Sequence, residues 1–152
     1  MVRITRTIRN VTKYGKVFTN ELIIMPIYDK KEGEIVALLG VLQSVKNDEE
    51  CVYNTKIDEI PLHEGVNGII AWDKSDPKSA MNMVITNPSE QYEIIWVNEN
   101  WSTLTGYRSS EAIGRTSRIL QMWAIYDHIY KDENKEIVRG MMKELRGAIA
   151  PV

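Results

Sequence analysis

The chain has 152 residues with a net charge of −2, and 43% of its residues are hydrophobic against 26% charged. That is enough chain for one core of ordinary size, and too apolar for a disordered tail. Lys and Arg are scattered, so no basic stripe marks a nucleic-acid or anionic-membrane partner, and no apolar run approaches the roughly 20 residues of a membrane span. The N-terminal stretch "MVRITRTIRN" has no apolar core of the secretory kind. The single cysteine, Cys51, excludes an internal disulfide. The expected setting is a reducing one, cytoplasmic or nuclear.

Residues 2–12 alternate β-branched and polar side chains, which predicts a half-buried strand. Gly15 supplies a turn, and "VFTNELIIMPIYD" predicts a second strand, where Pro26 argues for an edge position or a bulge. Gly33 sits in the next turn, and "IVALLGVLQSV" is apolar enough for a central third strand. Residues 1–46 thus predict a three-stranded antiparallel meander. Residues 47–80 are acidic at their start and punctuated by Pro61, Gly65, Gly68 and Pro77. This is a linker with local structure, and "GVNGIIAW" predicts a short helix or strand laid across a sheet. Residues 81–97 predict a hairpin around an Asn-Pro-Ser turn. Asn98 or Asn100 caps a short helix carrying Trp101 and Leu104, Ser109 opens a second, and a third begins near Arg115. From Lys131 a longer amphipathic helix places Ile137, Met141, Met142 and Leu145 at helical spacing, with the methionines as core filler.

Two stretches together resemble one family. "MVITNPSEQYEIIWVNENWSTLTGYRSSEAIGR" resembles the front of a PAS domain, with its hairpin followed by the pattern "VN..F..LTGY". "ITRTIRNVTKYGKVFTNELIIMPIYD" and "IVALLGV" resemble the last three strands of the same fold. The stretch "GRTSRILQ", residues 114–121, resembles the flavin-cradling motif of the LOV (light-oxygen-voltage) branch. The halves stand in reversed order, which implies a single circularly permuted domain. Residues 1–46 supply its last three strands, 47–80 the closing linker, and 81–152 its first hairpin and helices. The expected fold is α/β (α+β): a PAS-like five-stranded antiparallel sheet with helices on one face, circularly permuted. A fragment of two tandem PAS domains, completed by swapping between chains, is the other arrangement with this order.

The resemblance implies a cofactor, FMN or alternatively FAD, and assigns residues to it. Arg118 falls on the motif arginine at the phosphate, Gln121 on the glutamine beside the ribityl chain, and Arg146 on a second phosphate arginine. Asn10 and Asn20 fall on the amide pair that reads the ring's polar edge. Val84, Thr86, Leu104, Leu120 and Leu22 would supply apolar walls, or equally serve simply as core. A phosphate suits forked guanidinium donors, and a buried polar edge needs matched partners because unmet groups cost roughly 1–3 kcal/mol each.

Three departures stand beside these matches. Ser117 occupies the place of the cysteine that bonds to the excited flavin, and a hydroxyl has no low-lying thiolate form, so no adduct is expected. Leu42 stands where the family has its signal-relaying glutamine. Gln43 is one position away, and a one-residue slip in a strand reverses facing unless a bulge intervenes. Thr116 replaces the motif asparagine. The segment after Gln121 is long and resembles insertions that accommodate the adenine end of FAD, where Trp123 or Tyr126 would either stack on adenine or pack against the helices. His128 and His63 are the only histidines and form no metal spacing. No nucleophile–base pair or phosphate loop appears, so no enzyme is expected.

The resemblance therefore implies a flavoprotein photoreceptor or redox module for signalling, without cysteinyl chemistry and responsive to blue light only through flavin reduction. The alternative is a protein–protein interaction module with no cofactor, its pocket empty or filled by side chains, acting as a homodimer through its exposed sheet face or its linker. An engineered, permuted fluorescent tag without the adduct cysteine is a third reading, against which stands a linker with no Gly/Ser repeat.

Overall fold

The computed structural model describes residues 3–44, 57–71, 80–89, 91–126 and 128–149. The expectations placed on Cys51, and on the side chains of Trp123, Tyr126 and His128, lie outside what is described. Five strands, β1 (Ile4–Val11), β2 (Val17–Tyr28), β3 (Ile35–Ser44), β4 (Asn82–Thr86) and β5 (Ile94–Val97), form one sheet in the order β1-β2-β3-β4-β5. Every pairing is antiparallel. The expected meander and hairpin are both present, joined through the β3–β4 ladder.

Local chemistry explains the joins. In the first turn Gly15 adopts φ +88 and the Lys16 N–H donates to Thr12 Oγ1 at 3.1 Å. Pro26 lies beyond the last β1 pairing, Ile4 with Ile24, so its missing N–H faces no β1 partner. The β2–β3 register shifts one residue later, between Ile27 and Tyr28. In the hairpin turn Asn87 Oδ1 accepts from Ser89 Oγ at 2.8 Å and from the Glu93 N–H at 3.2 Å.

Helix α1 (Gly65–Ile70) follows a 3-10 turn at Leu62–Glu64. Helices α2 (Glu99–Thr105) and α3 (Ser109–Ala112) lead into a 3-10 stretch, Ser117–Tyr126, and then α4 (His128–Ile149). Asn98 is the cap of α2: its Oδ1 accepts from the Trp101 N–H at 2.9 Å and from the Met83 N–H at 3.0 Å, while its Nδ2 donates to Met81 O at 2.6 Å. One side chain therefore closes the helix end and ties it to β4.

Both sheet faces are covered, because both are apolar. On the first face Leu42 and Val84 pack with Ile94, Val97, Trp101, Ala112, Ile119 and Leu120. Farther along, Ile4, Ile24 and Leu38 pack under Met141, Met142 and Leu145 of α4, so the methionines are core filler as expected. On the second face Ile23, Met25, Ile27, Leu39, Val41, Met83 and Ile85 lie beneath Ile57, Ile60, Leu62 and Ile69. The described part of the linker, residues 57–71, is thus a strap across the sheet, and α1 is the expected short helix. The expectation of helices on one face holds for α2, α3 and α4, while the strap adds a short helix to the other.

The strap's polar ties lie at its rim: Arg3–Asp58 at 3.1 Å, Lys30–Glu64 at 3.8 Å, and the Tyr28 and His63 rings stacked with centroids 5.1 Å apart. Exposed ion pairs of this kind contribute roughly 0–1 kcal/mol each, so the apolar contacts hold the strap.

Candidate functional site

Asn10 and Asn20 are the centre of the site. The register pairs Asn10 with Phe18 and Ile8 with Asn20, so the two amides are diagonal neighbours on one face of the β1–β2 ladder. Asn10 Nδ2 donates to Asn20 Oδ1 at 2.7 Å. Both side chains are buried, at 2% and 1% exposure, and Asn20 Nδ2 has no hydrogen-bond partner. An asparagine on a strand ordinarily faces solvent or a turn. Here two are driven into the interior and one amide donor is left unmet, at a cost of roughly 1–3 kcal/mol.

Apolar residues surround this pair. Leu22 lies one step along the same face of β2 and pairs with Leu42, which packs with Val84 and Leu120. Gly40 lies between Leu22 and Val84, and a Cβ on it would stand 2.9 Å from Val84 Cγ1. A side chain there would crowd Val84. Thr86 is half-buried at the end of β4. Leu104 packs against the same cluster from α2.

The motif residues enter from the helical side. The 3-10 stretch and α4 both pack beside β1, which carries Asn10. Thr116 forms a bridge with Glu93, and its Oγ1 accepts from the Arg118 N–H at 3.4 Å. Leu120 is buried and Gln121 half-buried, while Ser117 and Arg118 are exposed. Tyr107 Oη donates to Ile119 O at 3.3 Å and ties this stretch to the segment between α2 and α3. Arg146 is exposed, with its Nε donating to Met142 O one turn back. Asn10, Asn20, Leu22, Leu42 and Val84 thus share one face of the sheet, while Thr116, Arg118, Leu120 and Gln121 lie on or beside the 3-10 stretch and Arg146 on α4, both of which pack beside β1.

Gln43 lies elsewhere. It pairs with Glu21, and the β2–β3 register runs unshifted there, so no bulge turns it toward Asn10 and Asn20. Its side chain is buried on the strap side of the sheet. Leu42 keeps the position toward the helices.

A second set of contacts locks the front of the chain onto its back. The Lys13 N–H donates to Thr105 O at 2.8 Å, and Lys13 Nζ pairs with Glu111 Oε2 at 2.6 Å. The hydrogen bond from Lys13 holds the Glu111 carboxyl below its ordinary value of 4.5, and the same bond holds the Lys13 ammonium above 10.5. Beside it Gly106 adopts φ +81, with a virtual Cβ 2.9 Å from the Tyr14 ring. On the other side of the helices Arg6 of β1 pairs with Glu144 of α4. Sequence reasoning passed over these pairs, since Lys13 and Glu111 stand far apart in the chain. It also passed over Trp101 as a polar residue, although the family pattern has a ring without a donor there.

Residues 81–150 match the PAS domain family. The match begins at the residue before β4 and takes in β5 and the helices that follow. In the sheet, the PAS domain's β4 is paired on its other edge with β3 from the front of the chain. No curated protein and no solved structure matched the chain. A PAS domain over these residues suggests a sensory or interaction module. Among the described residues no helix is long and apolar enough to cross a membrane, and no three metal-ligating side chains converge.

Proposed function

We propose that the chain is a flavin-binding sensory module of the LOV kind, circularly permuted, in which residues 1–44 complete the PAS domain of residues 81–150. The sheet order supports the permutation: β1, β2 and β3 continue the sheet beyond β4 in one unbroken antiparallel series. The observation that carries the binding reading is the buried Asn10–Asn20 pair with its unpartnered Nδ2. A buried donor left unmet asks for an acceptor, and a ring with a carbonyl edge supplies one. Asn10 and Asn20 would read that edge, Leu22, Leu42, Val84 and Leu120 would wall the ring, and Arg118 and Arg146 would meet the phosphate of FMN, or of FAD. Bound there, a flavin supplies absorption of blue light and reversible uptake of electrons. The chain's own groups bind and orient it. Ser117, exposed and without a thiol, makes no covalent bond to it, and Gln43, across the sheet, does not report its state.

The absorption spectrum of the purified protein, alone and after incubation with FMN or FAD, tests this. Structured bands in the blue that survive desalting, and are lost on Asn20→Leu, are the expected result. A colourless protein that takes up neither molecule overturns it. The second reading, a cofactor-free interaction module, has in its favour the closed apolar cluster of Leu42, Val84, Trp101, Ile119 and Leu120. The sheet face that such a module would use as a homodimer is the one the strap covers.

A further inference from the structure

Trp101 is the third residue of α2 and is 1% exposed. Its indole packs with Leu42, Val84, Ile94, Ile119 and Leu120, and its Nε1 has no hydrogen-bond partner. Packing in this cluster holds the indole away from solvent. A buried indole N–H gives up its hydration, and in this fold nothing replaces it. Phenylalanine would supply almost the same apolar surface without that loss. The unmet donor therefore asks for the same kind of explanation as Asn20 Nδ2, and it borders the same walls: Leu42 packs in the Trp101 cluster and pairs with Leu22, one step from Asn20.

We infer that Trp101 is a ligand-reading residue, whose Nε1–H donates to an acceptor atom of the molecule held between the sheet and the helices. The inference rests on the flavin-binding reading and extends it. On the helix-facing side of the sheet, Asn20 from β2 and Trp101 from α2 each contribute an unmet donor. The ligand they select is a planar heteroaromatic that presents acceptors, carbonyl oxygen or unprotonated ring nitrogen, toward both. A ring whose facing edges carry N–H groups instead leaves four donors opposed and is rejected.

The test uses the full chain with FMN as the probe. In ¹⁵N-labelled protein the Trp101 indole N–H resonance is expected to move on titration with FMN, and Trp101→Phe is expected to weaken FMN binding about ten-fold, the value of one recovered buried hydrogen bond. The same substitution is expected to leave the melting temperature of the flavin-free protein unchanged or raised, because it removes an unmet donor while keeping the packing. A yellow protein whose Trp101→Phe variant binds FMN as tightly as the wild type, or whose Trp101 indole resonance stays still, overturns the inference and leaves the flavin reading standing. A protein that takes up no FMN overturns both. If Trp101→Phe does not fold, the wild-type indole shift decides alone, with the resonance assigned by replacing Trp72, Trp96 and Trp123 in turn.

Discussion

Ile69 and Ile70 are adjacent in α1, and the fold treats them oppositely: Ile69 is 1% exposed against the sheet and Ile70 is 42% exposed. Replacing each by alanine removes the same three carbon atoms. For Ile69 the loss is about 0.8 kcal/mol per methylene plus the cavity left beside the sheet, so roughly 2–4 kcal/mol in total. For Ile70 the change stays within about 0.5 kcal/mol, as for other surface substitutions. The Ile69→Ala cost has a ceiling. Helix α1 has six residues and its cap position, Glu64, makes no side-chain cap bond, so it has little stability of its own. Once the penalty exceeds the docking energy of the strap, residues 57–71 lift off while the rest stays folded. Urea unfolding followed by circular dichroism gives the free energies, and hydrogen exchange read by mass spectrometry gives the strap's protection. Ile69→Ala is expected to lower the melting temperature by about 5–10 °C and to speed exchange in residues 57–71 first. Equal effects from the two alanines, or unchanged exchange in the strap, would falsify the account of what holds it.

Asn98→Ala removes an acceptor for two backbone N–H groups and a donor to a third group, and is expected to destabilise by roughly 2–4 kcal/mol in urea unfolding, with Asn98→Asp milder because it keeps both acceptor bonds. Gly106→Ala places a side chain at φ +81 and is expected to cost about 1–2 kcal/mol, read as a lower melting temperature. Tyr14 is 82% exposed and can move aside, so Tyr14→Ala does not rescue that variant. The Lys13–Glu111 latch works between the two groups' ordinary values. Glu111 is depressed below 4.5, so its contribution is present above that pH and is lost as pH falls through the lower folded value; Lys13 is raised above 10.5, so its contribution is lost only as pH rises beyond that. The melting temperatures of wild type and Glu111→Gln are therefore expected to differ at neutral pH and to converge in acid, and a gap that persists below the folded carboxyl value argues against the latch.

The strands were legible because their alternation of apolar and polar residues survives folding intact, and the helix capped before Trp101 was legible from its asparagines. The choice of Asn98 over Asn100 was not, since it depends on the Met83 N–H, which β4 brings from fifteen residues upstream. The third helix expected near Arg115 forms as a 3-10 stretch, and the long helix begins at His128 rather than Lys131. The strap's cover of the second face was only half legible. Ile57, Ile60, Leu62 and Ile69 follow neither a strand nor a helix period, because a short turn and a one-and-a-half-turn helix reach the sheet from changing directions. The amide pair was found through the resemblance, since propensity alone sends asparagine to turns. The Gln43 question could be posed from sequence but answered only by the ladder, because one missing or extra bulge decides which side of a strand a residue faces.

The strap also has a place in time. Residues 57–71 follow β3 and precede β4, so as the chain leaves the ribosome the cover for the sheet's second face is made before Met83 and Ile85 exist to complete that face. The nascent meander meets a partner from its own chain in the next stretch synthesised, which shields Ile23, Met25, Ile27, Leu39 and Val41 from neighbouring polysome chains. What waits for the later residues is the edge of β3, where β4 adds, and the sheet's first face, which the later helices cover.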